Sequence, residues 1–189
     1  MKRVLKILGI VFAVFIGLAI IAAIFGGNSN QANGDSEAPA QEEQKSTPKS
    51  KWEYSEKSNE MDNTTTYFAS LTSKNKIEFE FPYDGGSSFQ FIVRKTNGQY
   101  DFLVTVSKGQ FMTNILENEK LRIRFDDGEP FDWQYSSAND ARADIIFPEF
   151  SDDFLAQLKA SKKMMIEAPF AFAGRQVIQF ETGNLKSDF

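Results

Sequence analysis

Between Lys76 and Phe81 the residues Ile77, Phe79 and Phe81 alternate with Lys76, Glu78 and Glu80. An apolar residue at every second position is the period of a strand with one buried face, because successive side chains point to opposite sides of a sheet. The same pattern returns at Phe89, Phe91 and Val93, at Phe102, Val104 and Val106, at Leu121, Ile123 and Phe125, and at Phe131, Trp133 and Tyr135. Met164 to Glu167 and Gln176 to Phe180 supply two further strands. Between the runs stand Asp84-Gly85-Gly86, Asn97-Gly98, Lys108-Gly109, Asp127-Gly128 and Ala173-Gly174. Asn-Gly and Asp-Gly readily take the positive φ angles of tight hairpins. Short strands separated by such turns predict a mainly β fold, an antiparallel β-sandwich or flattened barrel.

One segment keeps a different period. Ser151-Asp152-Asp153 offers a capping hydroxyl and two acids, Phe154, Leu155 and Leu158 form a helical stripe, and Lys159, Lys162 and Lys163 follow. Hydroxyl and acids at the start with cations at the end suit the helix dipole. This predicts one α-helix over about 151–162, in the C-terminal half, covering an end or edge of the sheets.

The N-terminal part belongs to neither pattern. Val4 to Phe25 is apolar apart from Lys6, long enough for a transmembrane helix, since about 20 apolar residues cross a bilayer core. A cleaved signal peptide would use a shorter apolar run, with Ile21-Ala22-Ala23 as its cleavage site. Lys2, Arg3 and Lys6 place the N-terminus in the cytoplasm and the rest outside it. The polar stretch that follows is too poor in apolar residues to fold and reads as a tether reaching roughly 25–30 Å. The expected organisation is an anchor over 1–27, a linker over 28–51 and an extracytoplasmic domain over 52–189.

Composition removes several chemistries. The chain has 189 residues, 19 Phe, no Cys and no His. Zinc held by Cys or His, a Cys nucleophile, a His base and haem on those ligands are excluded, and no cofactor is expected. The region 52–189 carries 22 acids and 15 bases, an excess of seven negative charges. Nucleic-acid binding needs the opposite balance, and anionic lipid should repel such a domain, which leaves membrane contact to residues 4–25.

The residues that could carry chemistry are few. Asp126, Asp127 and Asp132 sit with Glu129 in one turn and are the carboxylates a calcium ion would use. The register and distal Glu of an EF-hand loop are missing, so no metal is assigned and a solvated hairpin turn accounts for them. Arg122 and Arg124 alternate with core positions and share a face; with Arg94 they could grip an anionic partner. Trp133 and Tyr135 are the aromatic candidates for the same contact. Ser73-Lys74-Asn75-Lys76 matches S-x-x-K, but Lys76 opens a strand rather than a helix and the companion motifs are absent. No pair among 26 acids is singled out for catalysis.

The order of features is itself informative. Trp52-Glu53-Tyr54, Met61-Asp62, Ala69-Ser70-Leu71-Thr72-Ser73-Lys74-Asn75, Phe81-Pro82-Tyr83-Asp84-Gly85-Gly86, the strand ending at Arg94, Gly109-Gln110-Phe111, Arg124-Phe125-Asp126-Asp127, Lys162-Lys163, Ile166-Glu167 and Gly183-Asn184-Leu185 follow one another. This resembles a family of uncharacterised exported or membrane-anchored bacterial proteins, some carried on prophage-like elements, over nearly all of 52–189. A weaker similarity runs to periplasmic accessory proteins associated with type VI secretion. Members of both groups often carry a Cys pair, which this chain lacks. Neither resemblance implies catalytic residues. The expected function is a non-enzymatic binding or accessory module of the cell envelope with a protein partner. Its alternatives are a glycan hydrolase with paired carboxylates and an immunity protein excluding a phage or toxin component.

Overall fold

The structure is a computed structural model and describes residues 50–113 and 119–189. The apolar stretch 4–25 and nearly all of the linker lie outside the described residues. Among the described residues no helix is long and apolar enough to cross a membrane.

Ten strands and one helix are described: β1 (Glu53–Asn59), β2 (Thr64–Thr72), β3 (Phe89–Thr96), β4 (Gln99–Val106), β5 (Leu121–Phe125), β6 (Phe131–Trp133), β7 (Tyr135–Ser137), β8 (Ile145–Pro148), α1 (Asp152–Ala160), β9 (Met164–Phe170) and β10 (Gly174–Phe180). They form a six-stranded sheet, β1-β2-β3-β4-β8-β7, and a four-stranded sheet, β10-β9-β5-β6. Every pairing is antiparallel. The Asn97-Gly98 hairpin forms as expected: Thr96 faces Gln99, and φ is 51° at Asn97 and 78° at Gly98. In the β5–β6 turn the left-handed residue is Asp126 (φ 46°), not the expected Asp127-Gly128 pair.

The inward residues of the two sheets meet in one core. Phe91 of β3 lies 6.0 Å from Phe180 of β10 between ring centroids, and Phe89 lies 5.7 Å from Phe170 of β9. Phe154 ties the helix to both sheets, with rings at 4.9 Å from Phe102, 5.2 Å from Phe125 and 5.1 Å from Trp133. Helix α1 starts where the sequence puts it. The Ser151 hydroxyl accepts from the Phe154 amide at 3.1 Å, and Phe154, Leu155 and Leu158 are buried. Ser151→Ala leaves that amide without its cap and should lower stability by about 1 kcal/mol, read as a shift in the urea midpoint at constant slope.

Three further expectations change. Ile77 makes only an isolated bridge to Ser87, so 77–81 is not a strand, and Phe81 is exposed rather than buried. The chain turns there, with the Tyr83 amide bonded to the Glu80 carbonyl at 3.0 Å. The run Phe131, Trp133, Tyr135 is split between sheets, because β6 pairs with β5 and β7 pairs with β8. The third concerns Arg94, below.

Candidate functional site

The outer face of the four-stranded sheet gathers Arg122, Arg124 and Asp132 of the charged candidates. The register sets Asp132, Arg122, Glu167 and Val177 side by side across β6, β5, β9 and β10. Arg124 lies two residues along, beside Met165. Here Glu119, Lys120, Arg122, Pro130, Asp132, Glu167 and Arg175 line an open depression of ≈ 850 Å³. Arg175 takes both nearby glutamates, at 2.8 Å to Glu167 and 3.2 Å to Glu119. Glycan hydrolysis needs one carboxylate free to carry a proton and a second free to act as base or nucleophile. One guanidinium holding both opposes that arrangement.

Arg122 sits between Asp132 and Glu167 in register, yet makes no ion pair with either, and no hydrogen bond to it is formed among the described residues. Arg124 Nη2 reaches only the Met165 sulfur at 3.9 Å, and its buried Nε has no partner among the described residues. A buried N–H without an acceptor carries a desolvation cost that an incoming acceptor would relieve. Arg94 does not join them. It stands on β3 in the other sheet and donates twice to one carboxylate oxygen of Asp101, from Nε at 3.0 Å and Nη2 at 2.9 Å. Alternation sets Arg122 and Arg124 on one face but does not say on which sheet Arg94 stands.

The remaining candidates turn inward. Trp133 packs on Phe131 and Phe154 and donates its indole N–H to the Glu149 carbonyl at 2.8 Å. Tyr135 donates to the Met112 carbonyl at 2.6 Å, and burial, with the Glu119 carboxylate nearby, pushes its phenol up to about 12. Raising a pKa above the unfolded value of about 10 stabilises the fold fully below pH 10. That contribution is lost as the pH rises from about 10 to about 12. Tyr135→Phe should therefore flatten the fall of stability in this window, and one tyrosine fewer should titrate near its upper end.

Asp126 accepts from the Lys162 and Lys163 amides at 3.0 and 2.9 Å, tying the β5–β6 turn to the segment after α1. Among the described residues no group of three or more acids is gathered in a way that could hold a metal ion. The Ser73 hydroxyl is engaged by the backbone, with the Phe89 amide at 3.1 Å and the Asn75 carbonyl at 2.7 Å.

Sequence reasoning missed two side chains. Phe81 is 87% exposed and Phe172, at the β9–β10 turn, is 102% exposed. Each stands two residues from one member of the Phe79–Phe170 ring contact at 5.1 Å, so both loops belong to the same end of the domain. Phe172 also has φ 63°, a left-handed conformation that bulky residues avoid. The signal available was the turn chemistry of Phe81-Pro82 and Phe172-Ala173-Gly174, which outranks hydrophobicity at a loop tip. The β10 edge is less open than a bare strand, because the Asn75 carboxamide bonds Val177 O at 2.9 Å and Gln179 N at 2.8 Å.

These features define a mainly β domain of two antiparallel sheets and one helix, with a charged sheet face and an aromatic end. No family model matches the chain, and no curated protein matches it. Among solved structures it is similar to invasion associated protein B from Bartonella henselae, at 14% identity and a TM-score of 0.39, over 71% of this chain and 87% of that chain.

Proposed function

We propose that the chain is a membrane-tethered β-sandwich module of the cell envelope that binds a protein partner and carries out no chemistry. The observation behind this reading is the pair of exposed rings, Phe81 and Phe172, at one end of the domain. Large apolar side chains in water at a loop tip bring no folding energy, and a strained backbone under one of them costs some. Both terms make sense if the rings enter a partner's pocket. Arg122, beside Glu167 on the adjoining face, would add a carboxylate contact.

The display half of the proposal has residues 4–25 in the cytoplasmic membrane, the N-terminus inside, and the domain beyond the membrane on its linker. Its kinship would be with the exported bacterial proteins it resembles. The cysteine-free sequence lends itself to a direct check. A single cysteine at exposed Met61 should react with a membrane-impermeant maleimide in cells whose cytoplasmic membrane is intact and reachable by the reagent.

The recognition half is tested by capture from crosslinked envelopes. Phe81→Ser with Phe172→Asn should melt no lower than the parent, since neither ring is buried and Asn tolerates a positive φ. The same variant should lose at least about tenfold in recovered partner, the scale of one lost aromatic anchor. Equal recovery would sink the reading.

A further inference from the structure

The chain enters the domain at a basic surface. Ser50 donates to the Asn184 carbonyl at 3.0 Å, Lys51 pairs with Glu181 at 2.5 Å, and the Trp52 indole donates to the Thr182 carbonyl at 2.9 Å. Beside this entry Lys51, Lys159, Lys162, Lys163, Glu181 and Gly183 line a shallow concavity of ≈ 520 Å³. Lys74 joins through the same Glu181, at 3.5 Å. Two carboxylates bond to this cluster: Glu181, shared by Lys51 and Lys74, and Asp126, which accepts from the backbone amides of Lys162 and Lys163. Five ammonium groups therefore meet two acids, on a domain whose acids outnumber its bases by 22 to 15. The side chains of Lys162 and Lys163 are exposed.

We infer that this lysine face docks the domain onto the anionic headgroups of the membrane to which it is tethered. Two observations select that occupant. The surface surrounds the point where the chain leaves toward residues 4–25, so on the tethered reading proposed above the tether ends within it. Its charge is opposite to that of the domain as a whole, so acidic lipid attracts this face and repels the others. Docking there sets the direction of display: β9 and β10 run about 20 Å from this root to the Phe172 turn, which points the aromatic end away from the lipid. On this inference the repulsion of anionic lipid expected from the net charge of the domain is reversed at this face.

The test uses the full chain reconstituted into vesicles of phosphatidylcholine alone or with phosphatidylglycerol. A single cysteine carries a fluorescence donor, with acceptors on the headgroups. Gly183→Cys is a suitable position, because a side chain there meets nothing within 4 Å, and Phe172→Cys is the distal control. Energy transfer from position 183 should rise with phosphatidylglycerol and fall with salt, while transfer from position 172 should not rise. Lys159→Gln, Lys162→Gln and Lys163→Gln together should weaken docking roughly a hundredfold and erase the lipid dependence. Equal transfer from position 183 in both vesicles, or dependence surviving in the triple variant, would overturn the inference. Loss of docking to inorganic phosphate at matched ionic strength would also overturn it, in favour of a discrete anion site. Flotation separates this from the anchoring proposal. A chain that fails to float with pure phosphatidylcholine lacks the anchor, and flotation with phosphatidylglycerol, in parent and triple variant, then judges the lysine face alone.

Discussion

Phe91→Ala lowers the unfolding free energy by about 3–5 kcal/mol, a large share of what a domain of this size has. Phe91 is fully buried and its ring contacts four others: Trp52 at 6.4 Å, Phe102 at 5.6 Å, Phe154 at 6.4 Å and Phe180 at 6.0 Å. Those partners come from the chain entry, β4, the helix and the other sheet, so truncation opens a cavity that no single element can collapse to fill. Phe91→Leu should lose about a third as much. Chemical denaturation at neutral pH reads both. A loss under about 1 kcal/mol for the alanine variant would mean that the two sheets do not share this core.

Phe79→Asp is expected to do at least as much damage, by a different route. Phe79 is 9% exposed, its ring rests on Phe170, and a Cβ added at Gly109 would come within 2.8 Å of it. A carboxylate at that place is desolvated with no cation beside it among the described contacts, and a buried unpaired charge costs several kcal/mol. The loop does not simply swing outward, because Ile77 and Ser87 exchange two backbone hydrogen bonds at 3.1 and 2.8 Å. Phe79→Leu is the control and should remain folded. An unchanged melting temperature for the aspartate variant would show that the ring is solvated.

The contrast between Phe79 and Phe81 shows where sequence reading runs out. Alternation identifies an apolar face while the chain stays extended, and the elements it marked at 89–93, 102–106, 121–125, 164–167 and 176–180 all appear as strands. It cannot see the chain stop. After Phe79 a turn reverses the backbone, and the next residue in phase points into water. Trp133 and Tyr135 fail more subtly. Both keep phase and both face the core, but the chain crosses from one sheet to the other between them, which a period of two does not record. Arg94, Arg122 and Arg124 are separated for the same reason. Strands β1 and β2 are not marked individually by the sequence pattern. Nearly all of β1 is exposed, and β2 is rich in threonine, so neither shows a clear apolar stripe. The helix was legible because Ser151, the two aspartates and the buried stripe agree, and its end at Ala160 falls two residues short of the expectation.

The site was less legible than the fold. Arg122 and Arg124 could be named from the sequence, but only the structure separates them from the paired Arg94. The exposed rings were hidden because hydrophobicity alone assigns phenylalanine to a core.

Site-specific photocrosslinking in living cells tests most directly whether the aromatic end is the surface that meets a partner. A photoreactive phenylalanine analogue at position 172, and separately at 81, should give one dominant adduct of the same added mass. The analogue in place of Tyr67, exposed on the six-stranded sheet, should not give it. Arg122→Glu should weaken the adduct without lowering the melting temperature. No adduct at either ring, or the same adduct from position 67, would contradict the claim that this end of the domain is where it binds.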